Sequence, residues 1–355
     1  MVTNIKPNKK RIAIRADAST DIGIGHIMRS MILAKEMQKR GKEIFFICRG
    51  LSSTLSRSIL DQGFQLESLP DHRVAGRYIR LKGPSASPSN SPEKFPQSDL
   101  IDTVAALTRI RPYLLVVDHF GIDAKWEKEI RRLISLRIAV IDGQRNRTHD
   151  CDILIDPNYS IDGIDGWKCL VPLHCELFVG PQFAFLRPEF YVEHENIKIR
   201  NGRVNNFLVS FGGSDKYNAT EMVLRAVKEI NLTNLMTHVI IGSQNPWKSR
   251  IVKICRERKR IDCYIDPENV ASIMAKADLA IGSGGIMTWE RCFLGVPSIL
   301  MSIAKNEEIN CRTLSHAEAA IYVGRVARNS VDSIKNAIID AVSNPDLLRR
   351  LSRRS

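Results

Sequence analysis

Residues 17–30, DASTDIGIGHIMRS, carry the sharpest chemical signal in the chain. Gly23 and Gly25 make a bend after the apolar run RIAIRA. His26 then falls in the first turn of an amphipathic segment that runs from Gly25 through Leu33 and Met37 to about Arg40. The partial positive charge of a helix N-terminus disfavours imidazolium. A histidine placed there can accept a proton and act as a general base; the same spacing also suits a histidine that merely caps the turn. Arg29 lies one turn further on, within reach of an acid such as Asp17. The bend is not a dinucleotide fingerprint. Met28 stands where the third glycine would allow close helix packing, and the next strand, ending FFICRG, lacks the acid that would hold a ribose. No nicotinamide cofactor, and no other cofactor, is expected.

Two further turns, VSFGGSDKYNAT and AIGSGGIMTWERCFLGVPS, join strands to helices. At Gly212, Gly213, Gly284 and Gly285, and at Ser283 between them in sequence, backbone N–H groups can approach phosphate oxygens, and a helix end adds its dipole. Glu290 follows the second turn and could accept hydrogen bonds from the hydroxyls of a ribose. These features predict nucleotide binding in the C-terminal half. The loops offer amides and helix ends to a diphosphate but no carboxylate pair of the kind that holds magnesium, so no metal is expected. His149 and Cys151, in HDC, and the pair His174 and Cys175 match no closed zinc spacing.

The elements that must position these groups follow an α/β rhythm. Strand-like runs RIAIRA, EIFFICRG, YLLVVDHFG and RIAVIDG alternate with helical periods, among them Gly25 to about Arg40, LSRSILDQG and residues 123–136. Gly41 is a natural helix stop. A second series comprises NFLVSFGGSD, helix 218–230, THVIIGS, a helix near 247–259, DCYID, helix 268–276, DLAIGSGG, helix 287–294 and VPSILMS. At 355 residues and 44% apolar composition, the chain suits two domains with cores of their own. The boundaries read as an N-terminal Rossmann-like domain over 1–187 and a C-terminal one over 188–355, joined by the polar stretch near 188–204 and facing each other across a cleft. Residues 71–98, rich in Pro, Ser and Gly, read as a mobile surface insertion. No apolar run reaches the ~18 residues of a membrane span, and no secretory leader is apparent. The eight scattered cysteines fit reduced, cytoplasmic thiols. The net charge of +13 suits an anionic substrate. No helix-turn-helix, RNA-binding signature or basic stripe interleaved with aromatics points to nucleic acid. The basic end, LLRRLSRRS, reads as a solvated helix face or a frayed tail.

RADASTDIGIGHIMRSMILA, VVDHFGIDAKWE, FAFLRPEF, SFGGSD and SGGIMTWERCFLGVPS, in this order between about residues 11 and 310, together resemble one family. It is the UDP-2,4-diacetamido-2,4,6-trideoxy-β-L-altropyranose hydrolases of bacterial pseudaminic acid biosynthesis. These are relatives of the lipid-linked N-acetylglucosaminyltransferase of peptidoglycan synthesis and share its GT-B fold. The resemblance implies an inverting, metal-independent hydrolase that splits a UDP-sugar into UDP and free sugar; the alternatives are a GT-B glycosyltransferase moving a UDP-activated amino sugar to an acceptor and a non-catalytic nucleotide-sugar-binding protein. It implies His26 as catalytic base beside Gly25, Asn306 as a substrate contact and Glu290 at the uridine ribose. Asp17, Asp118, His119 and Tyr159 become candidates for the sugar side. Two positions depart from the family: Glu307 follows the asparagine where Gln is frequent, and an insertion fills 81–96.

Overall fold

The computed structural model describes residues 10–18, 24–70, 97–197, 199–213, 215–230 and 234–355. The insertion read at 81–96, most of the wider 71–98 stretch, and Gly23 lie outside the described residues; Gln97 and Ser98 already belong to a helix.

The chain divides into two compact units, residues 1–158 with 162–185, and residues 159–161 with 186–355. In the first, β1 (Arg11–Ala16), β2 (Glu43–Arg49), β3 (Gln65–Leu69), β4 (Leu114–Asp118), β5 (Arg137–Ile141), β6 (Ile153–Asp156) and β7 (Glu176–Val179) form a parallel sheet in the order β3-β2-β1-β4-β5-β6-β7. The helices α1 (Gly25–Lys39), α2 (Ser53–Asp61), α3 (Gln97–Ile110) and α4 (Ala124–Leu133) connect them. β1 shows why the sheet lies inside. Ile12, Ile14 and Ala16 pack into one core with Ile27, Met31 and Phe46, while Ala13 points into the other with Ile47, Leu115 and Val117. Both faces of the strand are apolar, as a parallel sheet covered on two sides requires.

α1 buries His26, Ile27, Ser30, Met31 and Ala34, a stripe at helical spacing along one face. It stops where Gly41 adopts φ +76°. The Gly41 N–H bonds Gln38 O at 2.9 Å and the Lys42 N–H bonds Met37 O at 3.1 Å, a Schellman motif that needs a residue free of Cβ strain at Gly41.

The second unit begins with α5 (Pro188–Glu195) and continues through β8 (Asn206–Ser210), α6 (Ala219–Ile230), β9 (Met236–Ile241), α7 (Lys248–Arg256), β10 (Ile261–Ile265), α8 (Val270–Ala275), β11 (Leu279–Gly282), α9 (Met287–Phe293), β12 (Ser298–Ser302), α10 (Lys305–His316), β13 (Ile321–Arg325), α11 (Val331–Val342) and α12 (Pro345–Arg354). Its sheet is again parallel, in the order β10-β9-β8-β11-β12-β13. Phe207 and Val209 enter one core and Leu208 the other. The start of the polar connection expected at 188–204 is helical: Pro188 supplies the first-turn φ, and Phe190 is fully buried among Leu208, Met274 and Leu294. The basic C-terminus is the helix α12, which buries Leu348 and Leu351 and turns its arginines outward.

Among the described residues no helix is long and apolar enough to cross a membrane. Each unit is a parallel α/β sheet with connecting helices, the fold class that the strand and helix pattern predicts.

Candidate active site

Each sheet has one place where its strand order reverses, and open parallel sheets bind ligands beyond the carboxyl ends of the strands at that switch point. In the first unit it lies between β1 and β4, which pair directly, Ala16 opposite Asp118. α1, the helix after β1, carries His26 in its first turn, and β4 ends on Asp118, so the topology brings these two residues together from 92 positions apart.

His26 Nδ1 bonds Asp118 Oδ1. Arg29 donates from Nε to Asp118 Oδ2 at 2.6 Å and from Nη2 to Oδ1, and Ser30 Oγ donates to Oδ2 at 3.2 Å. Asp118 itself is fully buried. Burial alone would raise its carboxyl. The charge of Arg29, with hydrogen bonds from Arg29 and His26, overcomes this and holds it well below the usual carboxylate range. An ionised Asp118 can only accept, so Nδ1 carries a hydrogen toward it, and in the neutral ring Nε2 keeps its lone pair. Among the described residues Nε2 has no hydrogen-bond partner, and the Phe120 ring packs edge-on against the imidazole with centroids 4.3 Å apart.

Asp118, a candidate for the sugar side, is fully buried behind His26, its oxygens taken by His26, Arg29 and Ser30. One expectation is corrected here. Arg29 pairs with Asp118, not Asp17, because its turn of α1 faces the end of β4.

Asp17 is also engaged. Both its oxygens receive Arg15, Oδ1 also accepts from the Arg49 N–H at 2.8 Å, and His119 Nε2 lies 3.3 Å from Oδ2. Arg15 and Arg49 reach on to Asp99 on α3, so a buried ion network ties β1 and β2 to that helix. Burial pulls the His119 imidazole below its ordinary value despite Asp17. Its Nδ1 accepts the Gly121 N–H at 2.9 Å, which leaves Nε2–H for Asp17. Asp17 and His119 are therefore joined to each other in the wall beside His26. Tyr159 is exposed after β6 and groups with the second unit.

A further buried histidine proves structural. His149 lies between Glu127, 2.7 Å from Nδ1, and Asp142, 3.1 Å from Nε2, so neither nitrogen is free for a metal. Among the described residues no group of three His, Cys, Asp or Glu side chains is arranged to hold one.

In the second unit the switch point is between β8 and β11, where Ser210 lies opposite Gly282. Both glycine turns leave from these strands. Gly212 has φ +80°, and a Cβ on Gly242 would come within 2.8 Å of Gly213 O, so this turn is crowded by the next loop of backbone. Ser283, Gly284 and Gly285 follow β11, and Asn306 is exposed in the first turn of α10.

Glu290, on α9, is 2% exposed. Its Oε1 accepts from Arg187 Nε at 3.1 Å and Nη2 at 2.9 Å, whereas Oε2 has no partner. Burial raises the Glu290 carboxyl above its ordinary value, outweighing Arg187. A buried acceptor left unmade is costly, and this one has the chemistry to receive a hydroxyl. The sequence reading missed Arg187 as a site residue, although it falls in FAFLRPEF; an arginine preceding a helix carries no signal of the carboxylate 103 positions away.

Residues 207–355 match the glycosyltransferase family 28 C-terminal domain. Over 84% of this chain and 93% of the relative, the sequence is 26% identical to the UDP-2,4-diacetamido-2,4,6-trideoxy-β-L-altropyranose hydrolase of Campylobacter jejuni. It is 23% identical to the spore coat polysaccharide biosynthesis protein SpsG of Bacillus subtilis, over 88% of this chain and 83% of that one. Among solved structures, MurG of Acinetobacter baumannii superposes with a TM-score of 0.63 over 98% of this chain and 94% of its own, at 13% identity. The resemblance drawn from the motifs thus extends over most of the chain, and the fold is that of the GT-B glycosyltransferases.

Proposed function

We propose that this protein is an enzyme of UDP-sugar chemistry that hydrolyses the anomeric C–O bond of a UDP-linked 2,4-diacetamido-2,4,6-trideoxy sugar. The products are UDP and the free sugar, 2,4-diacetamido-2,4,6-trideoxy-L-altropyranose, with inversion, without metal, and as a cytoplasmic step of pseudaminic acid biosynthesis. The observation that carries the reading is the His26–Asp118 pair. A neutral imidazole whose Nδ1–H is held by a buried carboxylate presents the lone pair of Nε2, the arrangement a general base needs. Nε2 takes a proton from water as the water oxygen attacks the anomeric carbon. The C–O bond to the diphosphate breaks, and UDP leaves with the electron pair as an oxyanion. Amides at the glycine turns stabilise that charge. The second unit supports the nucleotide half of the reading: the unmade Glu290 Oε2 is an acceptor for a ribose hydroxyl. The hydrolase named above supplies the sugar.

A second reading, transfer of the sugar to an acceptor, draws on the match of residues 207–355 to a glycosyltransferase domain. One experiment separates the two. The purified protein is incubated with a panel of UDP-sugars in EDTA, with water as the sole acceptor, and the products are resolved by chromatography. Stoichiometric UDP and free sugar are expected, with turnover at least about a hundredfold lower in His26→Ala. No UDP release without an added acceptor would favour transfer, and unchanged turnover in His26→Ala would remove the base.

A further inference from the structure

The turn after β11 holds two charges that the reading above does not use. Arg291, on α9, is 1% exposed and donates from Nη2 to Ser283 O at 2.7 Å and to Thr288 Oγ1 at 3.0 Å. Its Nε and Nη1 have no partner, and among the described residues no carboxylate lies within ion-pair distance. A guanidinium buried without a counter-ion is expensive and leaves its field directed at whatever lies over the turn. Burial pulls its proton affinity down, with only partial relief from neighbouring acids.

Glu307 lies over that turn. Its Oε2 accepts the Ile303 N–H at 2.8 Å, and a Cβ on Gly285 would stand 3.1 Å from Oε1. The backbone amides of Ala304 and Gly284 also stabilise this carboxylate, yet burial keeps its proton affinity above that of an ordinary glutamate. The neighbouring Glu308 is occupied elsewhere, by Arg312 and Arg325. Glycine amides, the first turn of the twelve-residue helix α10 and an unpaired buried cation make a seat for an anion.

We infer that Glu307 is a resident anion: its side chain fills the seat that Gly284, Gly285 and α10 offer to a diphosphate, and a nucleoside diphosphate binds there by displacing it. The inference deepens the UDP-sugar reading and rests on it. Arg291 is the positioning charge, neutralised in part by Glu307 in the free protein and by the diphosphate in the complex. The same carboxylate, returning to its seat, competes with the UDP product and speeds its release. A glutamine at this position would fill the space without competing as an anion.

Calorimetry at pH 8 with UDP, uridine and inorganic pyrophosphate tests the inference on the parent, Glu307→Gln, Glu307→Ala and Arg291→Met. Both Glu307 variants are expected to bind UDP and pyrophosphate at least about fivefold more tightly, because a like charge leaves the seat. Uridine should change by less than about twofold, since it carries no phosphate. Arg291→Met is expected to weaken both anions at least about fivefold; it replaces an unpaired buried charge by an apolar chain, so its melting temperature should not fall. Unchanged or weaker anion binding in both Glu307 variants, or an equal gain for uridine, would overturn the inference. So would failure of every form to bind either anion. Tighter pyrophosphate without any UDP binding would uphold the anion seat and overturn the nucleotide reading.

Discussion

Asp118→Asn changes one atom and should abolish the base. The carboxylate now accepts from three side chains, His26, Arg29 and Ser30, in a fully buried position. An amide has one carbonyl and one NH2. Arg29, a permanent cation with only donors, will take the carbonyl. The NH2 then faces Nδ1 of His26, which must become the acceptor, and the ring hydrogen moves to Nε2. The imidazole is still in place, in the wrong tautomer. The general-base contribution, about 10²–10⁴ in rate, is lost, or roughly 3–5 kcal/mol of transition-state stabilisation. A separate cost arises because Arg29 loses its counter-ion. Breaking a fully buried pair costs about 3–5 kcal/mol, and because the Arg29 side chain remains 15% exposed, the penalty here should fall below that range. Three measurements separate the effects: turnover of the UDP-sugar, UDP affinity by calorimetry, and the thermal midpoint. Turnover should fall at least about a hundredfold. UDP affinity should hold, since the expected nucleotide contacts belong to the other unit. In the double variant Arg29→Met with Asp118→Asn, the midpoint should recover and turnover should not. Turnover of folded Asp118→Asn within about threefold of the parent would refute the tautomer argument.

Other outcomes follow from the same geometry. Glu290→Ala should weaken UDP by on the order of 1–3 kcal/mol, the scale of a hydrogen bond to a charged acceptor, with a smaller loss for 2′- or 3′-deoxy UDP; equal UDP affinity by calorimetry would make Glu290 a partner of Arg187 alone. In oxygen-18 water, the released UDP should carry no label above background, because His26 activates water toward carbon; label in the β-phosphate would show P–O cleavage and remove that role. Stability should depend on His149. Burial lowers its proton affinity, but hydrogen bonds to Asp142 and Glu127 and their charges raise it from 6.5 to about 9. A group raised in the folded state contributes its full stability below pH 6.5 and loses it as the pH passes 9, here about 3 kcal/mol at roughly 1.4 kcal/mol per unit. His149→Gln should flatten the fall in urea midpoint between pH 6 and 10; parallel curves would show that the ion cluster is not responsible.

The sequence by itself determined the α/β rhythm, the place of His26 at the start of α1, and the glycine turns after β8 and β11. Each is a local property: hydrophobic period, glycine content and the apolar runs of strands buried on both faces are written in neighbouring residues. Tertiary structure decided which side chains are partners. The sequence offers Asp118 only as a candidate for the sugar side; the placement of β4 beside β1 makes it the buried carboxylate behind His26. Asp17 and His119 read as candidates for the sugar side; the structure joins them to each other and ties Asp17 to Arg15 and Arg49. Arg187 and Arg291 gave no signal, because the meaning of a buried cation lies in its distance to a carboxylate and in what else is near. Ion pairs between residues 89 or 103 positions apart depend on strand order, and no period or spacing along the chain encodes which strand lies next to which.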